Sequence, residues 1–427
     1  MGGAQRNPSF SALLELMGYA ALHPSYELTI RMNLDRYPYY QQSTAGESLP
    51  FALVDMDLLQ QNVDSILRSA KGMQIRVASK SVRCAYLLKW LLAHHPSIEG
   101  VLCYHGEEAV QLSQQGFDDL LVAYPTVQRQ VIEHVCQEIA KGKNIILTID
   151  SVEQVELIEK IAERQGVTLP LCLDIDMSTH ILALNFGVNR SPVRTVKQAL
   201  AVYQCIARCR HVTLDGILGY EAQIAGVADD MAGQVVKNRI IKLLKRYAIP
   251  RLQKRRQNIV AALKKAGAQL RFVNGGGTGS VNSTVQDSSV TEITVGSGFY
   301  CPALFDLYAD FHLQPAALFA LEVTRRPTQS MVTCLGGGYV ASGAVGKEKL
   351  PTPIWPQGLQ LTQNEAAGEV QTPLQGNTNQ LKLGDPVFFR HSKAGELCER
   401  FNRLVLLQDG KIIERVPTYR GEGWCFV

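Results

Sequence analysis

No C-x-x-C pair occurs in the 427 residues, although ten cysteines run from Cys84 to Cys425. Neither the paired spacing of a zinc module nor the framework of a disulfide-stapled domain is present, and free thiols in a reducing compartment are expected. No apolar run reaches the roughly 18–20 residues that a membrane-spanning helix needs. The opening, MGGAQRNPSF, lacks the charged-then-apolar order of a secretory leader and has Arg6 where a myristoylation signal takes Ser or Thr. A cytoplasmic protein with no membrane partner is therefore expected. A large excess of one charge is also missing: the net charge of +4 is too small to indicate a nucleic-acid partner. The one exception is VVKNRIIKLLKRYAIPRLQKRRQNIVAALKKAG, which carries many lysines and arginines and no acid, and reads as a long solvated helical face.

What is present is apolar material for a large core, 46% hydrophobic against 19% charged. Short β-branched runs recur between amphipathic stretches: IRVASK (75–80), GVLCYH (100–105), DLLVAYP (119–125), NIILTID (144–150), LPLCLDID (169–176), LDGILGYEAQ (214–223), QLRFVNGGG (269–277) and VTEITVGSG (290–298). Strand alternating with helix implies parallel pairing, and eight such units predict an α/β chain closed as a (β/α)8 TIM barrel over 51–303. Residues 1–50, with a helical stretch and YELTIRMNL, read as an N-terminal segment packing on a second domain. From 304 to 427 the helical period fades into strands broken by turns, with Asp409-Gly410 as a hairpin signal, and a mostly antiparallel β domain is predicted there. The Pro-, Gln- and Gly-rich stretch 350–381 reads as a long loop.

Two motifs carry chemistry. Lys80 closes the first barrel strand, at the end of the barrel where such folds place their reacting groups. Near apolar walls its neutral amine can form a Schiff base; in solvent it would merely cap the strand. VNGGGTGS (273–280) follows the seventh strand, where Gly275, Gly276, Gly277 and Gly279 let backbone N–H groups converge on an anion and Thr278 adds a hydroxyl. A phosphate site after strands seven and eight is usual for this architecture. Aldehyde-reactive lysine and phosphate cradle together indicate pyridoxal 5′-phosphate.

These motifs, with LPFALVDMDLLQQNV, DLLVAYP, LCLDID, EITVGSGFY and LGDPVFFRHSKAGE, resemble the fold-type III pyridoxal enzymes with an alanine-racemase-like barrel, and among them the D-threonine aldolase and D-serine dehydratase group. The resemblance implies that Lys80 holds the cofactor and that Gly275 to Gly279 bind its phosphate. Tyr300 is similar to a tyrosine that meets the phosphate or ring, or else is a core aromatic. Tyr220, Glu221 and Gln223 sit where a partner of the ring nitrogen could lie. Where racemases carry an arginine after the fifth strand, Asn185 stands here, with Arg190 able to take over that role. His105 reads as a proton carrier or as a satisfied buried histidine.

One departure concerns the metal that this group carries on a His-x-Asp or His-x-Cys pair. His391 is present, but Lys393 occupies the second position, and an ammonium cannot ligate. Glu396 and Cys398 could step in as ligands, or Lys393 could itself supply the positive charge that polarises a hydroxyl or carboxylate; the second reading is preferred. The expected function is a lyase acting on a β-hydroxy amino acid of D configuration, by retro-aldol cleavage or β-elimination, with His391 as base. A racemase and a non-catalytic pyridoxal-phosphate carrier are the alternatives. The resemblance also implies a homodimer.

Overall fold

The computed structural model describes residues 36–181, 184–343 and 346–427; YELTIRMNL and the helical stretch before it lie outside them. The chain opens with the helix Tyr37–Ser43 and strand β1 (Phe51–Asp55). The barrel strands follow as β2 (Gln74–Ala78), β3 (Ile98–Cys103), β4 (Leu120–Val122), β5 (Ile145–Ile149) and β6 (Leu169–Asp174). A small hairpin, β7 (Thr179–Ile181) with β8 (Leu184–Phe186), interrupts them before β9 (Val212–Gly219), β10 (Phe272–Gly275) and β11 (Glu292–Val295). Order β10-β11-β2-β3-β4-β5-β6-β9 closes on itself with every pairing parallel. All eight predicted barrel strands are therefore observed, each within a few residues of its predicted span.

Strand alternation fills the lumen. Leu121, Ile146, Cys172, Leu218 and Phe272 pack together in it, and a Cβ on Gly216 would stand 2.4 Å from the Phe272 ring. Below them lies a polar plug. Arg76, 1% exposed, donates from Nε to Glu292 at 2.7 Å and from Nη2 to Asp119 at 2.8 Å, with Asn274 also bonded to Glu292 at 2.8 Å. A buried guanidinium is tolerated because both carboxylates neutralise it and its donors are used.

The remaining strands are β12 (Ala317–Thr328), β13 (Met331–Leu335), β14 (Thr352–Trp355), β15 (Leu359–Leu361), β16 (Gln371–Gly376), β17 (Pro386–Arg390), β18 (Arg403–Gln408) and β19 (Lys411–Pro417). They form the predicted mostly antiparallel sheet, in the order β15-β16-β13-β12-β1-β18-β19, with β17 pairing β12 and β14. The expected long loop at 350–381 instead contributes β14, β15 and β16 to this sheet. β1, which the sequence places at the head of the barrel, also belongs to it, antiparallel to β12 and parallel to β18. All five of its residues are buried, so its uninterrupted apolar run suits a central strand. The helix Tyr37–Ser43 rests on the same sheet through Tyr37 and Tyr40 against Phe388.

Removing one carboxylate from the plug leaves Arg76 buried with half its neutralising charge. Glu292→Ala is expected to lower the unfolding free energy by about 3 kcal/mol, read as a shifted midpoint in chemical denaturation.

Candidate active site

Lys80 does not end a strand; it sits in the single 3-10 turn Ser79–Ser81 that follows β2. The turn is pinned on both sides. Ser79 Oγ donates to the Leu102 carbonyl at 3.0 Å, and the hydroxyls of Ser81 and Ser297 share a bond of 3.0 Å. From the β domain, Gly395 (φ +90°) lies so close that a Cβ there would come within 2.0 Å of the Lys80 carbonyl oxygen. Glycine is required at 395 both for its left-handed conformation and for this approach. The loop that Gly395 seats carries Lys393 and Ala394 into the same cavity as Lys80.

That cavity, about 690 Å³, opens at the C-terminal rim of the barrel. Lys80, Gly276, Gly277, Thr278, Gly296 and Ser297 line one side of it. Two expected cradle members do not. Gly275 backs onto the Arg256 guanidinium, where a Cβ would stand 2.4 Å from Nη1, and Gly279 would press a Cβ to 2.4 Å from the Ala225 carbonyl oxygen. The amides of the turn are also partly committed inward. Gly276 N–H donates to Glu221 Oε2 at 2.7 Å and Gly277 N–H to Ser280 Oγ at 3.1 Å. What remains at this turn for an anion is the Thr278 amide, with the hydroxyls of Thr278 and Ser297 beside it.

Tyr220, Gln223, Asn185 and Arg190 also line the cavity. Glu221 instead turns beneath the glycine turn, bonded to Arg256 and Gly276. Asn185 makes a local turn contact with the Gly187 carbonyl at 3.5 Å, while Arg190 lies 5.9 Å from the Tyr124 ring centre.

Three expected residues are elsewhere. Tyr300 is 1% exposed, donates to the Val82 carbonyl at 3.0 Å and stands edge-on to His391, so it is a core aromatic. His391 is itself 3% exposed and absent from the cavity lining. Burial and the neighbouring Arg390 push its imidazole down to about 3, too weak for the role of base. His105 caps the helix Gly106–Gln114, its Nδ1 accepting from Glu107 N–H at 3.2 Å, and stacks on Phe426.

Several candidate metal ligands at this end of the site are engaged elsewhere. Cys398 is fully buried and donates to the Val82 carbonyl, Glu396 Oε1 accepts from Ser342 N–H at 2.9 Å, and Lys393 Nζ donates to the Ser342 carbonyl and hydroxyl at 3.3 and 3.4 Å. Among the described residues no three His, Cys, Asp or Glu side chains gather as ligands. Burial lowers the Lys393 ammonium, with Lys349 and Lys80 adding repulsion against the opposing Glu396.

Sequence reasoning missed Tyr124, Asp150, Asp174 and Lys349, all of which line the cavity. Tyr124 and Asp174 stand at the ends of the third and fifth barrel strands, a position that could have flagged both. Asp174 is pushed up to about 8 by burial and by Asp150 and Asp176, against Arg190. Asp150 is its neighbour across the β5–β6 pairing, one step beyond Ile149 and Leu173.

The model of the alanine racemase N-terminal domain matches residues 54–302. The 3-hydroxy-D-aspartate aldolase of Paracoccus denitrificans (strain Pd 1222) is 25% identical over 250 residues, 58% of this chain and 59% of that enzyme, so the match spans little more than half of that relative's length. Among solved structures, D-threonine aldolase from Filomicrobium marinum superposes with a TM-score of 0.74 at 19% identity, over 88% of this chain and 95% of its own. D-threo-3-hydroxyaspartate dehydratase from Delftia sp. HT23 gives 0.71 at 17%, over 87% and 98%. Both extend the likeness of fold through the β domain.

A carboxyl raised from 3.8 to about 8 binds its proton more tightly in the folded state. Its contribution to stability is therefore full below the ordinary value and lost as pH rises through 8. Asp174→Asn is expected to flatten that part of the stability–pH curve between pH 4 and 8 relative to the parent, as followed by thermal melts across the range.

Proposed function

The chain belongs to the alanine racemase N-terminal domain family, and on that premise we propose that it is a pyridoxal-5′-phosphate-dependent lyase acting on a β-hydroxy amino acid of D configuration. The observation that carries the reading is that Lys80 and the Gly276–Thr278 turn face one cavity. A phosphate beside this turn is supported by the Thr278 and Ser297 hydroxyls that line the cavity there. Gly277 has only 3.0 Å between a would-be Cβ and both Ala225 and Tyr220, and Gly296 only 2.8 Å to Ala78, so backbone rather than side chain forms the wall there.

The bound coenzyme supplies an electron sink for the bond broken at the substrate's Cα. Lys80 holds it through Nζ. Thr278 and Ser297 would hold its phosphate beside the glycine turn, and Tyr220 and Arg190 line the rest of the cavity. On the β-domain side Lys393, fixed by Ser342, presents its ammonium to the substrate's hydroxyl, and Lys349 adds charge for a carboxylate. Asp174 holds a proton at neutral pH and faces the same space. The D-selectivity and the aldolase or dehydratase outcome are supported by what the similar proteins are named for: aldol cleavage or dehydration of D-amino acids that carry a 3-hydroxyl.

Purified protein incubated with pyridoxal 5′-phosphate is expected to turn yellow, and Lys80→Ala to remain colourless. With D-threonine or D-serine the loaded protein should release glycine and an aldehyde, or a keto acid and ammonia. Interconversion of alanine enantiomers without carbonyl release would replace this reading by a racemase.

Because Lys393 stands in for a metal, extended chelation should leave activity unchanged, while Lys393→Gln should lower kcat/KM by about 100-fold, the scale of one lost electrostatic donor. Activity that vanishes on chelation and returns with a divalent cation would contradict that assignment.

A further inference from the structure

The reactive nitrogen of Lys80 has one hydrogen-bond partner among the described residues, the Oη of Tyr124 at 3.3 Å. Tyr124 follows β4 and is 38% exposed, with its open side toward the cavity. Two cations flank its ring: Lys80 Nζ lies 5.9 Å from the ring centre and the Arg190 guanidinium carbon also 5.9 Å. The charged and titratable groups facing it come from four places: Lys80 after β2, Arg190 after the hairpin, Tyr220 after β9 and Lys393 from the β domain. Three of these four are cations.

We propose that Tyr124 is the acid–base partner of Lys80, its phenol oxygen taking a proton from Nζ when the amine must act as nucleophile and returning it afterwards. The inference rests on the reading of Lys80 as the coenzyme lysine. The transfer is balanced within the pair: one N–H bond breaks, one O–H bond forms, and phenolate plus ammonium become phenol plus amine. An ammonium has no lone pair with which to attack a carbonyl, so the proton must leave first. The acceptor has to lie within hydrogen-bond reach, a condition that Tyr124 meets. Burial raises the phenol, but Lys80 and Arg190 together outweigh it and lower it from its usual range, toward the value a neutral-pH acceptor needs.

The experiment compares the full-length parent with Tyr124→Phe and Lys80→Met. In coenzyme-free protein, an ultraviolet pH titration should show one tyrosine ionising ahead of the rest; Tyr124→Phe should lack that step, and Lys80→Met should move it to higher pH. In the loading reaction, Tyr124→Phe should take up pyridoxal 5′-phosphate about 100-fold more slowly at neutral pH, the scale of one positioned acid–base group, and recover in alkaline buffer, where hydroxide replaces the missing phenolate. Loading at the parent rate with the parent pH profile, or an early tyrosine step that persists in Tyr124→Phe, overturns the proposal. A parent chain that never binds the coenzyme at Lys80, shown by borohydride reduction and peptide mass, sinks the coenzyme reading instead. The ultraviolet titration needs no coenzyme and judges the Tyr124–Lys80 pair on its own.

Discussion

The site depends on one strand pairing. β11 closes the barrel against β2, Val295 opposite Val77, and so the turn that carries Lys80 arrives beside Gly296 and Ser297, one strand away from the Gly276–Thr278 turn. The contact is close: Gly296 has no room for a Cβ against Ala78, and Ser81 and Ser297 bond across the seam. Some 200 residues of chain separate the lysine from the glycines, and only closure of the cylinder makes them neighbours. Beneath that seam the Arg76–Glu292–Asp119 plug ties the same two strands to β4 through charge, and the apolar layer above it keeps water from the lumen.

The β domain is tied to the barrel by geometry at two levels. β1 gives its backbone to the sheet, and the helix that follows it, Met56–Ala70, meets the barrel's last turn through Asn62, which donates to the Phe299 carbonyl at 3.0 Å. At the cavity itself Gly395 packs its backbone onto the Lys80 turn. The position of Lys393 is thereby referred to Lys80 through a few backbone contacts rather than through long side chains.

Charges of both signs line the cavity. Lys80, Arg190, Lys349 and Lys393 share it with Asp150, Asp174 and Asp176, which stand at the ends of neighbouring strands. Asp176 is held by Arg194 at 2.6 Å, whereas Asp174 has Asp150 beside it and answers by keeping its proton. Lys393 is likewise pushed toward its neutral form, while the cations beside Tyr124 favour that phenol's anion. Burial, helped by like charges crowded into the same space, thus shifts both Asp174 and Lys393 toward their neutral forms.

The architecture was legible because its signals are local. Alternating β-branched runs and amphipathic helices reveal eight strands one at a time, and the lysine after the first and glycines after the seventh mark the rim. Residue type misled where burial decided the role. Tyr300 and His391 are chemically capable but lie inside the core, His105 is spent on a helix cap, and Gly275 and Gly279 are glycines for the sake of Arg256 and Ala225. Tyr124 carries no motif of its own, and becomes a partner for Lys80 only when β4 and β2 are set one strand apart in the cylinder. The sequence by itself determined the eight barrel strands and the two rim motifs, since period and turn chemistry act over a few residues. Which side chains face the cavity, and with what charge, was decided only by the tertiary structure, because orientation and desolvation are set by neighbours distant in the chain.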